Sequence, residues 1–188
     1  MPTRAWFDLF NTINNADKFI YITGWSVFTN IQLLRGDDDP DGVSHVGELL
    51  KKKANEGVRV LMLVWNERMS TDLLEGMMGT HDEDTRRFFE DTNVECVLVG
   101  RQQSDGVLAD RFSANVYTHH QKTVICDAED EDYGLRRVVA FIGGLDITDG
   151  RYDNCEFQLF KTINTLHVGD FCSNCVVGAT AETGPREP

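Results

Sequence analysis

No apolar run in the 188 residues approaches the ~20 that a helical bilayer span requires. Basic residues are also scarce, with 18 Lys and Arg against 31 Asp and Glu and a net charge of −13. Neutralising nucleic-acid phosphates takes clustered Lys and Arg, so this deficit argues against a nucleic-acid partner. It also opposes binding to anionic membrane unless a cation bridges the two surfaces. Neutral lipid surfaces, small substrates and calcium-assisted contacts stay open. The chain has no basic, apolar, small-residue leader at its start. Met1-Pro2-Thr3 runs straight into a helical pattern, which reads as a boundary inside a longer sequence. Five cysteines leave one unpaired in any disulfide scheme. Cys96 and Cys126 lie in apolar runs, as buried thiols of a reducing compartment do. Cys172 and Cys175 form a lone CxxC with no second pair, too little for a zinc site. There is no internal repeat.

What is present is alternation of helix and strand. Trp6, Leu9, Phe10 and Ile13 fall at i, i+3, i+4 and i+7, one face of an amphipathic helix. "KFIYITGW" reads as a buried strand stopped at Gly24, and "RGDDDPDG" as a loop. "VGELLKKKANEG" predicts a second helix with Val46, Leu49 and Leu50 inward and Gly57 just past its end. "VRVLMLVW" is apolar almost throughout, the pattern of a parallel strand covered on both faces. Thr80 and Glu83 have the spacing of a capping box for the helix "HDEDTRRFFEDT". "VECVLV", "KTVIC" and "RRVVAFIG" complete an α/β layered pattern. The residues from 171 to 188 are weakly patterned.

The segment "YTHHQKTVICD", residues 117–127, carries the candidate chemistry. Residues two apart on an extended strand share a face, so His120 and Lys122 point together while His119 and Gln121 point away. An imidazole beside an ammonium suits an anionic, phosphate-like group. The ammonium neutralises oxygens, and the imidazole can attack or transfer a proton near neutral pH. An isolated HxK is more often a hydrogen-bonded strand histidine, but "HQKTVICD" is followed by "FIGGLDITDGRYD". Asp146, Asp149 and Asp153 crowd that second segment. Such carboxylates either offer calcium hard oxygen ligands or make turns and pair with Arg151.

Together "IYITGWSV", "VGELLKKKA", "EGVRVLMLVW", "THHQK", "GGLDITDGRYD" and "GPREP" closely resemble the phospholipase D superfamily and, within it, the plant enzymes. The resemblance extends over most of the chain. It implies one half of a two-lobed α-β-α sandwich in which two HxK motifs face each other across one site. One histidine attacks the phosphodiester and the other protonates the leaving alcohol. On this sequence His120 matches the nucleophile and Lys122 the phosphate-binding lysine. Asp127 completes the motif but lies, by strand alternation, on the opposite face, which implies a supporting role. Gly143 and Gly144 match small residues that let backbone approach the phosphate, and Trp25 is a candidate wall of the cleft. The resemblance further implies calcium dependence, a phospholipid membrane surface as partner, and a cytoplasmic, peripherally membrane-associated enzyme. The reaction implied is hydrolysis of phosphatidylcholine-type lipids to phosphatidic acid, with transphosphatidylation.

Some features depart from the family pattern. "AEDEDYGLRRVVAFI" separates Asp127 from Gly143 and reads as an acidic hairpin insertion turning near Gly134. Cys155 and Gln158 stand where relatives carry proline, and Asn66 where aspartate is usual. No second HxK occurs in the chain. The expectation is a first catalytic half, residues 1–188, that is nearly inactive without its counterpart. Two other readings are a homodimeric one-motif phosphodiesterase, which twofold symmetry would complete, and a non-catalytic lipid- or calcium-binding fragment.

Overall fold

The computed structural model describes residues 5–39, 42–67, 80–100, 118–130, 134–153, 162, 165 and 167. Three helices and five strands follow in the order α1 (Ala5–Asn14), β1 (Phe19–Gly24), α2 (Val46–Asn55), β2 (Arg59–Trp65), α3 (Asp82–Phe89), β3 (Val94–Val99), β4 (Thr123–Asp130) and β5 (Leu135–Ile142). The strands form one open sheet ordered β3-β2-β1-β4-β5. β1, β2 and β3 are parallel, β4 runs antiparallel to β1, and β5 antiparallel to β4. β5 is therefore parallel to β1. This is the α/β architecture the alternation predicts.

Successive parallel crossovers that step in one direction carry their helices to one face, because such crossovers are right-handed. That is what occurs from β1 through β3. α2 packs on β2, β3, α1 and α3, while α1 also reaches β4. The helices cover Ile20, Ile22, Val60, Met62, Val64, Val94, Val124 and Cys126, which form one core with Trp6, Leu9, Ile13, Val46, Leu49 and Leu50. Gly47 makes the close α2–α3 contact possible. A Cβ there would stand 2.6 Å from the Phe88 ring and 2.7 Å from the Thr29 Cβ.

The other sheet face is less covered than the apolar run of β2 predicts. Tyr21, Leu63, Val97, Val138 and Ile142 are all exposed. A continuous apolar run shows that a strand tolerates cover on both faces, but it does not supply the covering layer. Among the described residues no second helical layer is present, and the tail from 171 to 188 and the cysteines at 155, 172 and 175 lie outside them.

The α3 start also differs from expectation. The helix begins at Asp82, and His81 at the boundary adopts φ 52°. The Thr80 hydroxyl donates to the Asp82 carboxylate at 2.7 Å, and Glu83 pairs with Arg86 at 3.0 Å. The reciprocal capping box therefore does not form, because both of its side chains have nearer partners. At the end of α2, Gly57 takes φ 94°, the left-handed position that closes a helix.

Candidate active site

In open α/β sheets, ligands bind outside the carboxyl ends of the parallel strands. Here β1 runs out into Trp25-Ser26 and β5 into Gly143-Gly144. The antiparallel β4 starts at the same end, just after His120 and Lys122. The pairing Thr123↔Ile142 and the bond from the Gly143 N–H to the Lys122 carbonyl at 3.3 Å close the hairpin there. Residues 21 apart in sequence, Lys122 and Gly143, thus meet.

Lys122 is buried, and its Nζ lies 2.9 Å from the Asp146 Oδ2. A longer contact of 3.4 Å runs from Nζ to the His120 carbonyl. The other oxygen of Asp146 accepts the backbone N–H groups of Trp25 at 3.0 Å and Ser26 at 3.1 Å. The carboxylate therefore ties the end of β1 to the motif lysine. Two backbone donors and an ammonium give this 3%-exposed carboxylate the partners that a buried charge requires. Lys122, Asp146, Gly143 and Gly144 share the wall of a cavity of about 400 Å³, otherwise largely apolar, that α1 closes with Trp6 and Leu9.

His120 sits on the exposed rim, its ring centroid 5.9 Å from that of Trp25. Trp25 therefore flanks the motif histidine. Neighbouring His119 is half-buried, and its Nδ1 has no hydrogen-bond partner. Gly143 and Gly144 are exposed, and a Cβ on either would meet nothing within 4 Å. Their smallness meets no packing need, so it leaves room for something approaching from outside. Gly24 is small for a different reason. A Cβ there would fall 2.7 Å from the Val27 Cγ2.

Asp127 lies five residues beyond Lys122, about 17 Å along an extended strand. Its carboxylate accepts the backbone N–H groups of Lys18 at 2.9 Å, Phe19 at 3.0 Å and Asp17 at 3.2 Å. Arg136 adds a contact at 2.5 Å. Burial pushes its carboxyl upward, but these donors together hold it below the ordinary carboxylate value. The residue pins the α1–β1 connection to the far end of the sheet, and it touches none of the groups around Lys122.

The loop carboxylates do not converge. Asp146 serves Lys122 and the end of β1. Asp149 accepts from Thr148 Oγ1 at 3.0 Å and lies 3.2 Å from His81 Nε2. Among the described residues no three His, Cys, Asp or Glu side chains are grouped to hold a metal. Both Asp146 oxygens are taken by an ammonium and backbone amides, and Asp149 Oδ1 is shared by Thr148 and His81, so the two carboxylates do not gather around one ion. Turn spacing and ligand spacing look alike in sequence, and here the carboxylates have protein donors.

Sequence reasoning missed Ser26, Thr148 and His81. Ser26 lies within "TGWSV" and His81 at the head of "HDED", but no spacing rule connects them. Only the fold brings the end of β1, the loop after β5 and the start of α3 together.

A family model described as Phospholipase D matches residues 12–188, and the chain belongs to the phospholipase D family. Its relatives include phospholipase D alpha 1 of Ricinus communis, 50% identical over 196 residues that cover 100% of this chain and 24% of that protein. Phospholipase D alpha 1 of Vigna unguiculata is 50% identical over 195 residues, covering 98% of this chain and 24% of the relative. Phospholipase D alpha 2 of Arabidopsis thaliana is 48% identical over 196 residues, again 24% of its length. The chain thus spans about a quarter of the length of the curated relatives it matches.

Proposed function

We propose that these residues form the first catalytic half of a phospholipase D that hydrolyses phosphatidylcholine-type lipids to phosphatidic acid and a free head-group alcohol. The observation that carries the reading is the placement of Lys122. It is a buried ammonium, oriented by Asp146, beside two glycines whose outer side is open. That arrangement favours a phosphodiester oxygen over a bulky neutral group.

In the proposed reaction His120 attacks phosphorus. An N–P bond forms and the P–O bond to the head group breaks. The alcohol leaves with a proton from an acid outside the described residues, which the counterpart half of a longer chain would supply. Water then gives a proton to that same outside group and attacks phosphorus, the N–P bond breaks and His120 is released. An added alcohol replaces water in transphosphatidylation. Lys122 neutralises the phosphoryl oxygens during both steps, where a preorganised charge is worth most. The Trp25 ring limits where the imidazole can turn.

The partner surface is a phospholipid bilayer engaged peripherally from the cytoplasm. No described helix is long and apolar enough to cross a membrane. The acidic balance favours zwitterionic over anionic lipid and opposes nucleic acid. Calcium dependence belongs to the longer enzyme, and the scheme routes no step through calcium on Asp146, Asp149 or Asp153.

The test is an alcohol-trapping assay on phosphatidylcholine vesicles with these residues set in the longer chain that carries the counterpart half. Phosphatidylalcohol is expected from the unaltered chain, and a loss of roughly 10²-fold or more in His120→Ala and Lys122→Ala. Undiminished phosphatidylalcohol formation by His120→Ala would remove the nucleophile from the scheme.

A further inference from the structure

A second histidine-carboxylate pair stands behind the site, joined to Lys122 by an unbroken set of polar contacts. His81 Nε2 lies 3.2 Å from Asp149 Oδ1, and that oxygen also faces Thr148 Oγ1 at 3.0 Å. Thr148 Oγ1 is 3.0 Å from Ser26 Oγ, which is 2.8 Å from the Thr80 carbonyl. The Ser26 backbone N–H holds Asp146, and Asp146 holds Lys122. Ser26, Thr80, Thr148 and Asp146 are all at most 3% exposed. Nothing in the proposed reaction uses His81, Thr148 or Ser26.

Counting protons sharpens the point. Ser26 and Thr148 each have one hydroxyl hydrogen, yet three contacts draw on those two hydrogens. The Thr80 carbonyl can only accept. Asp149 also only accepts when ionised, and its carboxyl is held below the ordinary value. Burial raises it, but the His81 and Thr148 contacts outweigh that effect. Three arrangements each make two of the contacts. The one in which Ser26 donates to Thr80 and Thr148 to Asp149 sets two hydroxyl lone pairs against each other at 3.0 Å, which leaves two that are favoured. In one, Ser26 donates to Thr148 and Thr148 to Asp149. In the other, Thr148 donates to Ser26 and Ser26 to the Thr80 carbonyl. The His81 Nε2–H decides between them by how far it satisfies Asp149. The ring itself is fixed by stacking on Phe28 at 4.0 Å and 17°. Its Nδ1 faces Asp84 at 3.9 Å.

We propose that His81 is a positioning residue for the phosphate-binding Lys122, acting through Asp149, Thr148, Ser26 and Asp146. The inference rests on the phosphodiester reading of the site. A donor at His81 Nε2 fixes the direction of the two hydroxyls. The hydroxyls fix the Ser26 turn, and that turn presents the N–H that orients Asp146. Removing the donor loosens the ammonium without touching substrate.

The experiment compares His81→Ala, His81→Gln, Thr148→Val and Phe28→Leu in the longer chain that carries the counterpart half. The readouts are kcat/KM on phosphatidylcholine vesicles and calorimetric binding of inorganic phosphate. His81→Ala is expected to lose about tenfold in kcat/KM, the equivalent of ~1.4 kcal/mol, and to bind phosphate more weakly. His81→Gln keeps an amide donor near the Nε2 position and restores most of both. Thr148→Val breaks the path one step further on and matches His81→Ala. Combining the two costs no more than either alone, because members of one network are not additive. Phe28→Leu removes the stack and lowers the melting temperature, but the Asp149 contact still holds the ring, so it loses less kcat/KM than His81→Ala.

Three results would overturn the inference. They are full kcat/KM in a folded His81→Ala, a loss in Phe28→Leu equal to that in His81→Ala, or no restoration by folded His81→Gln. Failure of the lipid-hydrolysis reading looks different. The unaltered chain would then leave vesicles intact, while phosphate binding would still rank His81→Ala below His81→Gln.

Discussion

Asp127 closes the H-x-K-x4-D pattern, and replacing it with asparagine separates anchoring from chemistry. Oδ1 of Asp127 accepts the N–H groups of Lys18, Phe19 and Asp17, and Oδ2 accepts Arg136 Nε. An asparagine oxygen in the Oδ1 position keeps the three backbone donors. Its NH2 then faces the guanidinium, donor against donor. A hydrogen bond to a charged group is worth about 1.5–3 kcal/mol. Asp127→Asn should therefore cost about 2 kcal/mol, or roughly 4–8 °C in melting temperature for a domain of this size. Asp127→Ala strips every acceptor from three backbone N–H groups and should cost more. The folded carboxyl is held below its ordinary value of 3.8. Its contribution is therefore fully present above the unfolded value and is lost as pH falls through the folded one. The gap between wild type and Asp127→Asn should be constant down to about pH 5 and close below it. Urea unfolding followed by tryptophan fluorescence reads the gap, with turnover scaled to the folded fraction. Turnover per folded molecule should be unchanged. A variant as stable as wild type but slower by roughly 10²-fold or more, the worth of a proton-transfer group, would refute the reasoning.

Two further outcomes test the surroundings of the site. Gly143→Ala meets nothing within 4 Å, so its melting temperature should hold while vesicle turnover falls; equal turnover would show that nothing approaches the glycines closely. Burial, with the Asp127 carboxylate alongside, pushes the Cys126 thiol up to about 12, and burial against a small opposing pull from Arg86 takes Cys96 to about 11. Both should resist iodoacetamide at pH 8 until the chain unfolds, as mass spectrometry of labelled peptides would read.

The sheet was legible because its strands are apolar runs and its helices have helical periodicity. The "KFIYITGW" run stops at Gly24 in both sequence and fold, and Trp6, Leu9 and Ile13 all face the core. Uncovered apolar residues on the second face were not legible, since hydrophobicity does not state what lies opposite. At the site, spacing alone paired His120 with Lys122 and set Asp127 apart. It left the carboxylates of "LDITDGRYD" open between calcium ligands and turn formers, because an aspartate's partner is chosen by the fold. Asp146 meets Trp25 and Ser26 across 121 and 120 residues of sequence. Thr80-x-x-Glu83 failed as a capping box for the same reason. Each side chain had a nearer partner than the helix terminus.

The β4–β5 ladder has eight consecutive residue pairs, from Thr123↔Ile142 at the site to Asp130↔Leu135 at the other end. Seven steps at about 3.4 Å place those ends roughly 24 Å apart. The ladder works as a spacer whose near end is held by the chemistry and whose far end is not. Residues added beyond the Asp130↔Leu135 pair lengthen the hairpin without changing its register at Lys122. A fluorescent reporter or an affinity tag inserted at that far end should leave turnover intact. The same insulation makes this hairpin the natural place for related chains to differ in length while keeping one active-site geometry.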